Sequence, residues 1–452
     1  MKPFKHQTQT TEFILSRQKV LITSDPGTGK TRSVLDAYKK LPKAKGRMLV
    51  VAPLSILQAS WGDDIEKFQP SLTYNVAYAK NRERAFIEDS DIVITNHDAV
   101  KWLVKNPLYL RGTLFNTICI DEFTAFKNKD SQRSKAMKKL VDSFYYRIGM
   151  SGTPNSNTIL DIWHPAFLID GGQRLGTRFY SFRQAVCTSR FNGFANEWVD
   201  KDDAEQIVAS ALFDINIRHK LEDCIDMPEQ TVRTMTTQLP NKIMKAYSNL
   251  ANDSTLVTDK GTVNAVHAGA KVKKLLQLCT GALYDEEGKV IGIHKERYNL
   301  VLQLILERSH SLVAFNWTHE RNYLVEMCEK QGIKYGIIDG TTLGHKRNDV
   351  VNRMQAGQLQ VVFCHPQSAG HGLTMTKATT IIWASPTYNA EHYQQFNRRI
   401  YRAGQTKRTE VIRIAADNTW EPDVYDKLEG KLNRMEELLT ILTNLNSLRE
   451  TA

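Results

Sequence analysis

Apolar residues gather along the chain into short, nearly unbroken runs separated by helix-length amphipathic segments. One group comprises Val20–Thr23, Met48–Ala52, Asp91–Thr95, Thr117–Ile120 and Arg147–Met150. A second comprises Ser311–Phe315, Tyr335–Ile338, Gln360–Cys364, Thr380–Ala384 and Glu410–Ile414. Runs that do not alternate between polar and apolar predict strands buried on both faces, and strands alternating with helices predict parallel sheets. Two such groups predict two α/β domains. Between them, from about 165 to 295, the pattern changes to helical stretches such as Lys242–Asn252 and Ala265–Leu278, broken by turn-like pieces such as Asp285–Gly288. That interval predicts a mainly helical insertion or bridge. Asp423–Leu448 is amphipathic and predicts a helix packing back on the second group. The expected division is therefore 1–165, 166–295, 296–422 and 423–452, within the two to four domains that a chain of 452 residues suggests. No internal repeat or low-complexity segment interrupts it.

The first run, Val20–Thr23, leads into Ser24-Asp25-Pro26-Gly27-Thr28-Gly29-Lys30-Thr31 and then into helical Arg32–Lys40. A strand, a glycine-rich turn and a helix form the setting of a phosphate-binding loop. Backbone N–H groups around Gly27, Thr28 and Gly29 would close on phosphate oxygens, helped by the positive end of the helix. Lys30 would reach the terminal phosphates and Thr31 would help hold Mg²⁺. The general pattern places a glycine where this chain has Ser24; the alternative is a glycine turn with a chance Gly-Lys-Thr.

Thr117–Ile120 ends in Asp121-Glu122-Phe123-Thr124. Acids at the C-terminal end of an apolar strand lie where an α/β sheet places its ligand crevice. Asp121 would belong to the Mg²⁺ shell and Glu122 would be the base for water, against the plainer reading of a helix cap with a first-turn acid. Ser151-Gly152-Thr153-Pro154 closes the next strand, and Ser151 and Thr153 could sense the state of the metal site; a plain Gly-Pro turn is the alternative. In the second group, Arg399 and Arg402 stand three apart and would share one face of a helix. Arginines there could stabilise charge on a transferring phosphate across a cleft, or form only a solvated basic face.

Composition narrows the classes. With 41% apolar and 24% charged residues, the chain reads as a soluble globular protein. No apolar run approaches the roughly 20 residues of a membrane span, and Met1–Gln7 lacks the apolar core of a signal peptide. The six cysteines form no CxxC pair, so neither a zinc site nor a disulfide framework is implied and a reducing cytoplasm is expected. A net charge of +11 favours a polyanionic partner, nucleic acid first. Part of that excess lies at 127–139, where six Lys or Arg face Asp130 alone, a run that would also suit a solvated helix face.

In this order the elements resemble superfamily 2 helicases, specifically the Swi/Snf-like branch of DNA-dependent ATPases. The resemblance runs from about residue 4 to 415. It rests on Phe4-Lys5-His6-Gln7, Val51–Leu57 with Trp61, Ile94-Thr95-Asn96-His97-Asp98, Asp121–Thr124 with Lys127-Asn128, Arg218–Asp223 with Met227-Pro228-Glu229, Asp339–Thr342 with Arg347, and the stretch Gly370–Gln405. It implies two RecA-like parallel-sheet lobes and ATP with Mg²⁺ as cofactors. Gln7 would read adenine, Gly372 and Gln395 would join the nucleotide site, and Arg399 and Arg402 would serve as arginine fingers. Pro53, Thr95, Asn96 and Ser368 would meet nucleic acid. Phe123-Thr124 stands where the family has Ala-His, and Tyr401 replaces the usual His before the final arginine, which bears on coupling between the ATP and DNA sites. The implied activity is an ATP-driven translocase on duplex or branched DNA, soluble and monomeric, acting in fork remodelling, annealing or branch migration. A strand-separating DNA or RNA helicase, an ATP-driven protein-remodelling factor and a P-loop kinase are the rival readings, the last leaving Gly370–Gln405 without a role.

Overall fold

A computed structural model describes all residues except 1, 43–45, 112–114, 192–195, 254, 259–260, 265–267, 286, 370–372 and 452. The chain divides into two compact units, 1–226 with 431–452, and 227–430.

The first unit is built on a seven-stranded, all-parallel sheet. Its strands are β1 Lys19–Ile22, β2 Arg47–Ala52, β3 Tyr74–Ala77, β4 Ile92–Asn96, β5 Phe115–Asp121, β6 Tyr146–Met150 and β7 Asn216–Ile217, in the order β3-β4-β2-β5-β6-β1-β7. Both faces are covered, as unbroken apolar runs require. Leu49 and Val51 point into one apolar layer, Met48, Val50 and Ala52 into the other, the period-two alternation of a strand. The five strands expected here are present. The two additional ones carry weak signals: β3 is half-buried along most of its length, and β7 is two residues long.

The second unit holds a six-stranded parallel sheet of β8 Gln230–Thr237, β9 Ser311–Ala314, β10 Tyr335–Ile338, β11 Val361–Cys364, β12 Thr380–Trp383 and β13 Thr409–Ala416, ordered β8-β13-β12-β9-β11-β10. The edge strand β8 is largely exposed and rich in threonine, so no apolar run marks it, yet it pairs with β13 along all eight residues.

The interval 166–295 does not form a body of its own. Residues up to 226 belong to the first unit, where β7 completes the sheet, and those from 227 belong to the second through β8. The helices Asn241–Asp253 and Ala268–Cys279 are present within the second unit, but 166–295 also carries several short strands and hairpins. The C-terminal helix spans Trp420–Thr451 and corrects a second expectation. From 431 onward it belongs to the first unit, where Met435, Leu438, Leu439 and Leu442 are buried in one of its apolar layers. Its opening turn is fixed in the second unit by a buried pair: Arg297 binds Glu421 and donates to the Ala384 carbonyl at 2.9 Å, while Glu421 accepts from the Ala416 N–H at 2.7 Å. Among the described residues no helix is long and apolar enough to cross a membrane, and all six cysteines are free thiols.

Candidate functional site

The loop after β1 turns through two glycines in the left-handed region, Gly27 at φ 92° and Gly29 at φ 77°. A side chain at 29 would be strained by that backbone, and its Cβ would fall 2.2 Å from Gln7 Nε2. The helix Lys30–Lys40 starts immediately afterwards, two residues before the expected Arg32. Its first-turn N–H groups, which no helical carbonyl can accept, face the loop. Thr31 lies in that turn.

The loop is held from three sides. Lys30 is half-buried and its Nζ donates to the carbonyls of Ser24 at 2.8 Å and Asp25 at 3.1 Å. Burial pushes its pKa down, opposed by the carboxylates of Glu122, Asp121 and Asp25. Behind the loop, Arg218 pairs with Asp25 at 2.9 Å and donates to the Thr23 carbonyl at 2.7 Å. Asp25 also accepts from the Leu221 N–H, and Ser24 Oγ from the His219 N–H. From the N-terminal helix Lys5–Leu15, His6 Nε2 and Gln7 Nε2 both donate to the Thr28 carbonyl, at 2.8 and 3.3 Å, and Gln7 Oε1 accepts from the Phe4 N–H. Gln7 thus reaches the loop, with its amide engaged by the protein itself.

The acids sit at the end of β5. Asp121 is buried; its Oδ1 accepts from the Glu122 N–H at 3.0 Å and its Oδ2 from the Trp61 indole at 2.9 Å. Burial raises its pKa, and the Trp61 donor and Lys30 pull in the other direction. Glu122 adopts φ 50°, ψ 58°, one of two non-glycine residues at positive φ among those described. Such a conformation costs on the order of 1 kcal/mol or more and persists only where surroundings enforce it. Ser151 Oγ donates to Glu122 Oε2 at 3.0 Å and accepts from the Thr153 N–H at 3.1 Å. A Cβ at Gly152 would lie 2.7 Å from Pro26, so this segment is pressed against the phosphate-binding loop. The structure therefore brings the loop, the acid pair and the hydroxyl segment together.

These groups fit a nucleotide with Mg²⁺. Mg²⁺ is commonly held by one or two carboxylates plus substrate phosphates rather than by a protein cage. Consistently, no cluster of three acidic, histidine or cysteine ligands occurs among the described residues. Thr31 and Asp121 would hold the ion, with Glu122 beside them. The buried Thr153 Oγ1, which lacks a partner among the described residues, leaves polar capacity beside Gly152 and the loop.

The nucleic-acid candidates fare unevenly. Pro53 is buried and caps a 3₁₀ turn, Leu54–Ile56, whose Leu54 is 59% exposed. Thr95 is fully buried, its hydroxyl donated to the Ala77 carbonyl at 3.0 Å, because position 95 faces the apolar layer; this side chain is not presented to a nucleic-acid backbone. Asn96 is half-buried and accepts from Arg82.

In the second unit the helix Ala390–Asn397 ends before the arginines. Arg399 and Arg402 therefore do not share a helix face, as their spacing suggested. They lie in the following turn, yet both NH1 groups donate to the same acceptor, the Leu373 carbonyl, each at 3.0 Å. Arg399 is 5% exposed and also donates to the Gln395 carbonyl; Arg402 is half-buried. Gln395 is buried and its amide donates to Glu391. Ser368 is half-buried in the short helix Pro366–Ala369. Gly372 lies outside the described residues.

Sequence reasoning gave no role to Arg218, His6 or the Trp61 indole. For Arg218 the sequence signal is its place at the head of the Arg218–Asp223 string that supports the family resemblance. Removing it leaves Asp25 charged and buried beside the loop, and breaking a buried pair in this way costs about 3–5 kcal/mol. Denaturant unfolding of Arg218→Ala is expected to show a loss of that size. The exposed Arg233→Ala, paired with Glu410 at 3.4 Å, is expected to change stability little.

Comparison with known proteins covers nearly the whole chain. Residues 6–283 match the SNF2-related domain, and residues 296–404 match the helicase conserved C-terminal domain. Protein p41 of Acyrthosiphon pisum secondary endosymbiont phage 1 is 26% identical over 95% of this chain and 96% of its own length. The chromodomain-helicase-DNA-binding protein 1-like of Danio rerio is 23% identical over 94% of this chain, and an uncharacterized ATP-dependent helicase of Mycoplasma pneumoniae is 24% identical over 89%. The chain spans 42% and 38% of those two proteins. The solved SWI2/SNF2 ATPase core of Sulfolobus solfataricus in complex with dsDNA aligns over 95% of this chain and 91% of its own, with 20% identity and a TM-score of 0.45.

Proposed function

Because the chain belongs to the SNF2-related family of helicase-type, nucleic-acid-dependent ATPases, we propose that it couples ATP hydrolysis to movement along duplex or branched DNA. The observation that carries this reading is the single connected site of Lys30, Asp121, Glu122 and Ser151 at the carboxyl ends of neighbouring parallel strands. Such a site hydrolyses a nucleoside triphosphate and leaves the second unit to sense it.

In this proposal Lys30 exchanges its two loop carbonyls for phosphate oxygens, and the helix N-terminus adds its donors. Glu122 orients the attacking water and takes its proton, with Ser151 holding the carboxylate in place. Bound Mg²⁺ would neutralise charge on the phosphate oxygens. Arg402 would stabilise charge on the transferring phosphoryl as an arginine finger, so that hydrolysis would depend on engagement of nucleic acid. The net charge of +11 suits backbone contacts, which give binding with a steep salt dependence and little sequence preference. Fork remodelling, annealing or branch migration is the work such a motor would do.

The test is ATP turnover measured against duplex, single-stranded, forked and four-way-junction DNA and RNA, with Lys30→Ala as the baseline. Stimulation by duplex or junction DNA that falls steeply with salt, together with displacement of a triplex strand, is expected. Efficient unwinding of a tailed duplex would replace this reading with a strand-separating helicase. Absence of stimulation by every nucleic acid would favour action on a protein partner.

A further inference from the structure

Two backbone segments expected to meet nucleic acid end on the same carboxylate residue. The first begins at Pro53, runs through the 3₁₀ turn Leu54–Ile56 with its exposed Leu54, and continues as a turn of π-helix, Leu57–Gly62. π-Turns are rare and occur disproportionately at functional sites. This one places Trp61, which is fully buried, so that its only polar atom donates to Asp121 Oδ2 at 2.9 Å. The second segment passes Asn96 and ends at His97, whose buried ring donates from Nε2 to the Asp121 carbonyl at 2.8 Å. One segment therefore grips the carboxylate and the other the backbone of the same residue.

We propose that Trp61 is a positioning residue that relays engagement of nucleic acid at the 53–57 segment to the metal-binding carboxylate of Asp121, with His97 steadying the same residue from the 95–97 segment. The inference rests on the translocase reading. Its logic is that a helical turn is stiff: a displacement at its exposed end moves the indole, and the indole sets the direction of a carboxylate oxygen. Coupling of this kind is reciprocal, so duplex DNA must tighten binding of Mg²⁺-nucleotide by the factor with which the nucleotide tightens binding of DNA.

Trp61→Phe removes the N–H and keeps a large aromatic ring in the core. Binding of a fluorescent ADP analogue to the full chain is titrated with Mg²⁺, with and without duplex DNA, and in EDTA. In the variant the Mg²⁺ needed for half-saturation is expected to rise about tenfold or more, the scale of a lost hydrogen bond to a buried charge. The tightening by duplex is expected to vanish, while binding in EDTA stays unchanged. Wild-type Mg²⁺ dependence and wild-type tightening in Trp61→Phe would overturn the relay. If duplex has no effect on the unmutated chain, the translocase reading fails instead. Should Trp61→Phe not fold, the unmutated chain answers through its seven indole N–H signals. Mn²⁺-ADP is expected to broaden the one beside Asp121, and adding duplex to the Mg²⁺-ADP complex is expected to shift it. A broadened signal that duplex leaves in place would overturn the relay.

Discussion

Replacing Arg402 with alanine is expected to leave ATP binding intact and to lower DNA-stimulated turnover on the order of a thousandfold or more, the range of a lost arginine finger. The neighbouring arginine sharpens this expectation. Arg399 is buried and donates to two carbonyls, of Gln395 and Leu373, so its guanidinium ties the end of the helix Ala390–Asn397 to the 373 segment. Arg402 is half-buried, and the hydrogen bond it makes to Leu373 duplicates one already made by Arg399. Alanine at 399, which is the more buried of the two, should therefore cost more stability than alanine at 402. Steady-state ATPase with saturating DNA, read beside thermal unfolding of both variants, separates the two. Normal turnover in Arg402→Ala would transfer the finger to Arg399.

Glu122→Gln keeps the size and the hydrogen-bond acceptor for Ser151 while removing the base. Turnover is expected to drop by about 10²–10⁴-fold, the usual contribution of a positioned general base, with nucleotide affinity retained. The backbone makes the position unusual. At φ 50° the residue carries strain that glutamine inherits unchanged, so the variant isolates the lost proton acceptor from any relaxation of the loop. Single-turnover hydrolysis is the appropriate measurement, because product release cannot mask the chemical step. A variant that hydrolyses at the unmutated rate would remove Glu122 from the role of base.

Much of this architecture is legible in the sequence because its strands are covered on both faces and leave runs such as Met48–Ala52 and Val361–Cys364 with no polar interruption. What escapes is at the edges. Gln230–Thr237 is polar and exposed, and is a strand only because β13 lies beside it. Asn216–Ile217 is too short to carry any period. The phosphate-binding loop and the acid pair are local strings, so their residues could be named in advance. Their supports are not local. Arg218 meets Asp25 across 193 positions of chain and Trp61 meets Asp121 across 60, and no pattern within a window reports such pairs. Thr95 shows the opposite failure: it stands in a suggestive string, but its strand is covered on both faces and its side chain is buried whichever way it points.

The helix Trp420–Thr451 has a consequence for how the protein is made. Met435, Leu438, Leu439 and Leu442 fill a core otherwise built from residues before 226. Burying side chains of this kind is worth about 1.5–3 kcal/mol each. A ribosome therefore finishes the sheet that carries the phosphate-binding loop long before it supplies the side chains that seal it, and the whole of 227–430 must be synthesised in between. The nascent first unit waits with an open apolar face, and its core is complete only after the second unit has been synthesised.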